Sequence, residues 1–442
     1  MSEVTQQDWA DTLACKIRER NVRVGVIGLG YVGLSLAVEF AKSGLQVTGI
    51  EIDADKVARL RSGESYVQDV KPYEVKGLIA DEKLLVVNDF GRLSELDAVS
   101  ICVPTPLSKT KDPDISYIAA ATKEIVTHLH PGQLIVLEST TYPGTTDEVI
   151  LPELQKTGLQ VGQEFFLAFS PERIDPGNVQ YTTHNTPKII GGVTGRCAQV
   201  AKSLYEVAIN RVVLVSSARS AEMVKLLENT FRAVNIGLVN EVALMCDRLG
   251  INVWEVIEAA ATKPFGFMPF YPGPGLGGHC IPVDPYYLAW KLKTLDYKAR
   301  FIELAAEINT GMPWHVVSKV VDALNEQCKS VNGSNILVLG VTYKRNTNDL
   351  RESPALDIIK ILQGKGATVS FYDTYAADLT SLDGALHVSL DKEVLQAADC
   401  VIIATDHSNV NYEWVMTHAP LIVDTRNVAK QSGIGRAKVI KL

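Results

Sequence analysis

From Val22 onward, short apolar runs alternate with amphipathic stretches, the pattern of parallel strands buried on both faces and joined by helices. Strands are predicted at residues 22–27, 46–51, 98–103, 134–138, 165–169 and 211–215, with helices over 32–43, 116–128 and the stretch after Thr145. A short amphipathic helix precedes them. Residues 220–249 read differently: Gly237 is the one breaker, and Met223, Leu227, Phe231, Val234, Leu238, Val242, Met245 and Leu249 recur near helical spacing. That is one long helix, about 45 Å at 1.5 Å per residue, suited to bridging two lobes and to forming a subunit interface. A Gly/Pro-rich segment (264–285) and a second helical stretch (287 to about 327) follow, and alternation resumes with strands at 335–340, 368–372, 398–404 and 420–424. This second lobe resembles half a Rossmann unit without a glycine triplet, since Gly340 leads into Val-Thr-Tyr-Lys and the helix starts only near Pro354. The expected fold is α/β: two Rossmann-like lobes joined by a long central helix and a small helical domain, divided at 1–210, 211–328 and 329–442.

Composition narrows the function. The 442 residues, 46% hydrophobic and 21% charged, are those of ordinary soluble domains, and the net charge of −8 leaves no basic footprint for nucleic acid or an anionic membrane. No apolar run approaches the roughly 18 residues of a membrane span. The seven cysteines are dispersed without a C-x-x-C pair, which argues against a metal site and for reduced thiols in a cytoplasmic protein.

Gly28-Leu-Gly30-Tyr31-Val32-Gly33 stands between a strand and a helix, where glycine lets a pyrophosphate approach backbone at a helix N-terminus. Glu51 ends the next strand, placed to accept hydrogen bonds from ribose hydroxyls and to repel a 2′-phosphate, so NAD is expected over NADP. Asp53 is a rival for that contact. The loop from Gly273 to Asp284 delivers Cys280 and, four residues on, Asp284; a helical turn starting at Cys280 would put thiol and carboxylate on one face. An inert cysteine in a tight turn fits the same spacing, and His279 adjoins the thiol. Lys225 and Asn229 share a helix face, either solvated or suited to stabilising an oxyanion. Thr105, Thr140 and Glu172 follow predicted strands at the edge where α/β sheets bind ligands.

Taken together these motifs resemble the nucleotide-sugar 6-dehydrogenase family (UDP-glucose/GDP-mannose dehydrogenases) from Val22 to the C-terminus, with Lys225-x-x-x-Asn229, Gly-Gly-x-Cys280-x-x-x-Asp284 and Lys344…Arg351-Glu-Ser in the family's order. Lys263-Pro-Phe-Gly-Phe before the cysteine loop looks most like the bacterial UDP-N-acetylglucosamine 6-dehydrogenase branch. The resemblance implies a four-electron oxidation of a sugar C6 alcohol with two NAD, through a Cys280 thiohemiacetal and thioester. Lys225 and Asp284 would hold a water that takes the hydroxyl proton, Glu172 would be the hydrolytic base with Thr140 beside it, and Lys225 and Asn229 would stabilise the oxyanion. Gly28, Gly30, Tyr31, Val32, Gly33, Glu51, Lys56, Thr105, Thr140 and Arg351 would hold NAD, Arg351 reaching it across the lobe interface. Glu172, Arg173, Lys225, Asn229, Phe270, Tyr271, Gly273, Gly277 and Lys344 would bind the UDP-sugar. A homodimer or higher homo-oligomer and a setting in polysaccharide synthesis are also implied. Pro176 and Val283 replace a glutamate and a lysine of the UDP-glucose branch, so cofactor contacts there are not carried over.

UDP-N-acetylmannosamine, UDP-N-acetylgalactosamine and UDP-glucose are alternative substrates. A β-hydroxyacid dehydrogenase shares the Lys-x-x-x-Asn pair but makes one hydride transfer without a cysteine, and a non-catalytic NAD sensor would keep only the fold.

Overall fold

The computed structural model describes residues 8–108, 112–174, 178, 180–278, 280–429 and 437–442. Two compact units emerge, Met1–Glu228 with Tyr286–Asp296, and Asn229–Pro285 with Tyr297–Leu442.

The first unit is built on an eight-stranded sheet of β1 (Arg23–Ile27), β2 (Gln46–Ile50), β3 (Leu84–Val87), β4 (Ala98–Ile101), β5 (Leu134–Leu137), β6 (Phe166–Phe169), β7 (Lys188–Gly192) and β8 (Val212–Val215). Its order is β3-β2-β1-β4-β5-β6-β7-β8, parallel throughout except for the antiparallel pair β6–β7. Helices α1 (Trp9–Arg18), α2 (Tyr31–Lys42), α3 (Ala54–Arg61), α4 (Pro72–Ala80), α5 (Ser116–His128), α6 (Leu151–Gln155) and α7 (Gly195–Tyr205) complete it. Alternate residues of each strand feed separate cores, Val24 and Val26 with Phe40 on one face and Ile27 with Ile101 and Phe169 on the other. This two-sided burial is why the strands read as unbroken apolar runs. Strand order reverses between β1 and β4, the switch point at which such sheets bind ligands beyond their carboxyl ends. Strands β3 and β7 go beyond the predicted set, β7 because it opens on a lysine that turns out to be buried.

Helix α8 (Ala218–Leu249) carries the chain from the first unit into the second, followed by α9 (Val253–Ala261), α10 (Asp284–Lys293) and α11 (Arg300–Asn325). The helical stretch expected over 287–327 is made of two helices, parted by a turn in which Asp296 takes the left-handed conformation (φ 56°). Then come β9 (Asn335–Leu339), α12 (Pro354–Gly364), β10 (Thr368–Tyr372), β11 (Ser381–Leu382), β12 (Ala385–His387), α13 (Lys392–Ala397), β13 (Cys400–Ile403), α14 (Tyr412–His418), β14 (Leu421–Asp424) and β15 (Lys438–Lys441). The order β11-β12-β10-β9-β13-β14-β15 contains a whole Rossmann order, not the half that was expected, because short β12 and the C-terminal β15 complete it.

Along α8 the apolar stripe lies largely on the surface: Leu227, Phe231, Leu238, Met245 and Leu249 are all exposed, Leu249 by 70%. Among the described residues, no helix is long and apolar enough to cross a membrane.

Candidate active site

Beyond β1, the glycine turn is built by close packing. Gly28 is left-handed (φ +85°), and a Cβ on Gly33 would lie 1.9 Å from the Gly28 carbonyl oxygen, whereas one on Gly30 would meet no protein atom within 4 Å. Gly30 is also the N-cap of α2, whose N-terminus no side chain caps. Glu51 is buried beside this turn, its Oε2 accepting from Leu29 N–H at 3.0 Å and its Oε1 from Asp53 N–H at 3.1 Å. Each oxygen keeps acceptor capacity, since an ionised carboxylate offers about four lone-pair sites. The rival Asp53 is spent as the N-cap of α3, accepting from Asp55 and Lys56 N–H at 3.0 and 3.2 Å. The Lys56 ammonium sits 5.8 Å over the ring of Tyr66, and Tyr66 donates to the Leu29 carbonyl at 2.7 Å. Tyr31 hydrogen-bonds Asp69, and Val32 is half-buried against the core.

Loops beyond β4 and β5 meet at the same edge. Ser139 donates to the Val103 carbonyl at 2.8 Å, the Thr105 carbonyl accepts from Tyr287, and half-buried Thr140 lies between Ser139 and a Thr141–Thr145 hydroxyl pair 2.7 Å apart. Glu172, beyond β6, is 7% exposed. Its Oε1 accepts from the N–H groups of Arg173 and Ile174 at 2.7 and 2.6 Å, and its Oε2 lies 3.4 Å from the Lys188 ammonium. The Arg173 guanidinium donates to Glu228 at 2.6 Å and to the Pro187 carbonyl at 2.5 Å. Lys225 is 7% exposed, so the solvated-face reading of this helix pair fails.

In the second unit Asn229, 6% exposed, donates to the carboxylate of buried Asp284. The turn expected at Cys280 is present: Val283 and Asp284 N–H donate to the Cys280 carbonyl at 3.0 and 2.7 Å, and α10 starts at Asp284. Upstream, Gly278 N–H donates to the Arg351 carbonyl at 2.9 Å, while the Arg351 guanidinium forks onto Asp349 at 2.6 and 3.0 Å. Gly277 packs on Tyr343, Phe270 stands edge-on to Phe231 at 5.8 Å, and Tyr271 stacks on Trp254 at 6.0 Å. The Lys344 carbonyl accepts from Thr347 at 3.0 Å, fixing the loop after β9. His279 and Pro176 lie outside the described residues.

Matches to known proteins span nearly the whole chain. The NAD binding, central and UDP binding domains of the UDP-glucose/GDP-mannose dehydrogenase family match residues 22–209, 219–311 and 337–431. The chain belongs to that family. A UDP-N-acetyl-D-mannosamine dehydrogenase of Pyrococcus horikoshii is 37% identical over 421 residues, covering 94% of this chain and 97% of the relative. A UDP-N-acetyl-D-glucosamine 6-dehydrogenase of Pseudomonas aeruginosa is 37% identical over 395 residues, covering 88% and 91%. The solved UDP-D-ManNAc dehydrogenase of Pyrococcus horikoshii superposes with a TM-score of 0.86 at 36% identity, covering 95% of this chain and 98% of that one.

As a member of the UDP-glucose/GDP-mannose dehydrogenases the chain is an NAD-dependent UDP-sugar dehydrogenase. The glycine turn fits the dinucleotide: the space a Gly30 Cβ would enter is open, while the Gly28 and Gly33 positions are closed by backbone. When bound, NAD supplies the hydride acceptor for each oxidation.

Several residues near these loops escaped the sequence reading. Asn240 accepts from Gly273 N–H at 3.0 Å and donates to Asn309 at 2.8 Å, and Asn309 donates to the Ala233 carbonyl at 3.2 Å, so an amide ladder carries the Gly273 loop. A Cβ on Gly273 would come within 2.8 Å of the Arg426 guanidinium, which donates to the Ala404 carbonyl at 2.8 Å. Burial, with the neighbouring Arg345 charge, pushes Arg426 down to about 10. Its place just beyond β14, at the ligand-binding edge of a Rossmann sheet, was the available signal.

Proposed function

We propose that this enzyme oxidises the C6 hydroxyl of a UDP-N-acetylhexosamine to the carboxylate through a covalent Cys280 intermediate. The observation that carries the reading is the turn that begins at Cys280 and ends on an Asp284 held by Asn229. An amide donating to that carboxylate keeps it aimed, as a base must be.

The roles follow from chemistry. Asp284, with Lys225, serves the first deprotonation through a water; Lys225 has no hydrogen bond or ion pair to another side chain among the described residues, which leaves its ammonium for substrate. The Cys280 sulfur bonds to the resulting aldehyde carbon, and the second oxidation leaves a thioester. Glu172 takes a proton from the water that cleaves it, with Thr140 beside that water and Asn229 donating to the oxyanion. Gly28, Gly30, Tyr31, Val32, Gly33, Glu51, Lys56, Thr105 and Arg351 serve NAD. Phe270, Tyr271, Gly273, Gly277 and Lys344 serve the UDP-sugar, and Arg426 adds a cation for its phosphates. The division at 1–210, 211–328 and 329–442 assigns cofactor, catalytic loop and UDP to successive domains. The exposed α8 stripe is the homodimer face, and the enzyme works in the cytoplasm supplying uronates for polysaccharide synthesis.

UDP-N-acetylglucosamine is the first reading of the substrate, from the segment at Lys263. UDP-N-acetylmannosamine is the second, favoured by the longer coverage of the Pyrococcus horikoshii relative. Turnover on these two sugars, UDP-N-acetylgalactosamine and UDP-glucose tests the choice. Two NADH per acid are expected, with no acid from Cys280→Ala. One NADH per substrate, or an unaffected Cys280→Ala, overturns the covalent scheme.

A further inference from the structure

Glu172 does not stand alone. Its Oε2 faces the ammonium of Lys188 at 3.4 Å, and the same ammonium lies 2.6 Å from Oε2 of Glu138. Tyr205 donates to the other Glu138 oxygen, Ser100 lies 3.2 Å from the Tyr205 hydroxyl, and the Lys188 ammonium sits 5.7 Å from the Tyr205 ring centre. The five side chains come from β4, the end of β5, the loop after β6, β7 and α7. Ser100, Glu138, Lys188 and Tyr205 are each less than 5% exposed, while Glu172 at the end of the row reaches the edge.

Placing an ammonium and a carboxylate in a dry core costs several kcal/mol per ion unless both are paired and hydrogen-bonded. Glu138 satisfies Lys188 alone at 2.6 Å, so stability explains that pair without Glu172. The unexplained feature is that Lys188 also faces a second carboxylate. Burial works against the Lys188 charge, but the charges of Glu138 and Glu172 outweigh it and hold the ammonium protonated above its ordinary range. One cation thus stands between two anions, and the outer anion feels an attraction from Lys188 that Glu138 partly cancels.

We infer that Lys188, clamped by Glu138 and Tyr205, is a positioning residue that orients Glu172 as the hydrolytic base. In the step it serves, the water oxygen bonds to the thioester carbon, the water proton passes to Glu172, and the C–S pair returns to the Cys280 sulfur. The inference rests on the reading of Glu172 as that base.

Two substitutions should move the acid limb of the activity profile in opposite directions. In Lys188→Met the two carboxylates lose their shared cation, and the limb rises. In Glu138→Gln, Lys188 is left to Glu172 alone and the limb falls. Lys188→Arg restores it toward the wild type. The assay is acid formation from UDP-N-acetylglucosamine and UDP-N-acetylmannosamine with NAD across pH, with intact-mass detection of the Cys280 adduct. Glu172→Gln is the separating control, expected to accumulate the adduct. If Glu172→Gln hydrolyses normally, the base assignment fails. If it traps the adduct but Lys188→Met and Glu138→Gln lose rate with an unmoved limb, the positioning role alone is overturned. Should Lys188→Met not fold, the direction of the Glu138→Gln shift decides.

Discussion

Gly30 and Gly33 separate what the glycine turn does for the protein from what it does for the cofactor. A methyl on Gly33 would sit 1.9 Å from the Gly28 carbonyl oxygen, and reaching an ordinary contact of 3.4 Å requires a backbone shift of about 1.5 Å. Overpacking of that kind costs about 1–3 kcal/mol. At about 2–4 °C per kcal/mol for a unit of this size, Gly33→Ala should lower the melting temperature by roughly 2–12 °C and lose NAD binding with it. Gly30→Ala is different. Its φ of −68° suits alanine, and the methyl meets no protein atom within 4 Å. Losing glycine at an N-cap costs a few tenths to about 1 kcal/mol, and the smaller entropy of the unfolded alanine chain returns about 0.4–1 kcal/mol. Stability should therefore barely change. The open space belongs to the ligand, so the same methyl should cost about 1–3 kcal/mol of binding, which at 1.4 kcal/mol per factor of ten weakens NADH by roughly 5- to 150-fold. Fluorescence titration with NADH beside differential scanning calorimetry reads both quantities. Gly30→Ala with wild-type NADH affinity would refute the argument, because the gap above α2 would then hold nothing.

The remaining expectations concern the second unit and its surface. Burial pushes the Asp373 carboxyl up, but the hydrogen bond and charge of His407 and the N–H groups of Thr342 and Tyr375 outweigh it and hold it below the ordinary carboxylate value. Its contribution to stability is thus present above about pH 4 and lost as pH falls through the lowered value; urea unfolding between pH 5 and pH 3 should show a steeper loss in wild type than in Asp373→Asn. Asn229→Ala removes a buried donor to Asp284 and should cost about 1–3 kcal/mol while reducing kcat far more than it raises KM, as initial rates over substrate and NAD will report. Leu238→Glu, at a position 55% exposed on the α8 stripe, should turn a dimer into a monomer in light scattering; a monomeric wild type removes the interface.

Strand positions were legible where both faces of the sheet are buried, because an unbroken apolar run such as Leu134–Leu137 has no other reading between turn signals. β7 was not, since a sequence carries no sign that Lys188 will be neutralised by Glu138 from a strand fifty residues away. The second Rossmann order was half visible for a related reason: β12 has three residues and β15 lies at the chain end, too short and too polar to stand out locally. Among candidate site residues, those in short motifs stood out in the sequence, whereas the Asn240–Asn309 ladder joins residues sixty-nine apart and exists only once α8 and α11 pack.

Helix α8 shows why periodicity finds a helix more surely than it finds a core. The stripe at Leu227, Phe231, Leu238, Met245 and Leu249 has the spacing of a buried face, and a chain read in isolation would turn it inward. In the structure the stripe meets solvent, and the buried face, which includes Leu226, Val239 and Ala243, also takes in the polar Glu222, Lys225, Asn229 and Asn240. Glu222 is bound by Gly144 N–H at 2.6 Å and by Thr146 N–H at 2.9 Å, and Asn229 and Asn240 hold Asp284 and the Gly273 loop. Buried polar groups on a helix are stable only when their partners are in place, so this face is organised around the loops it holds. An apolar stripe left outside calls for a partner surface rather than a core, and that is the contact Leu238→Glu is expected to break.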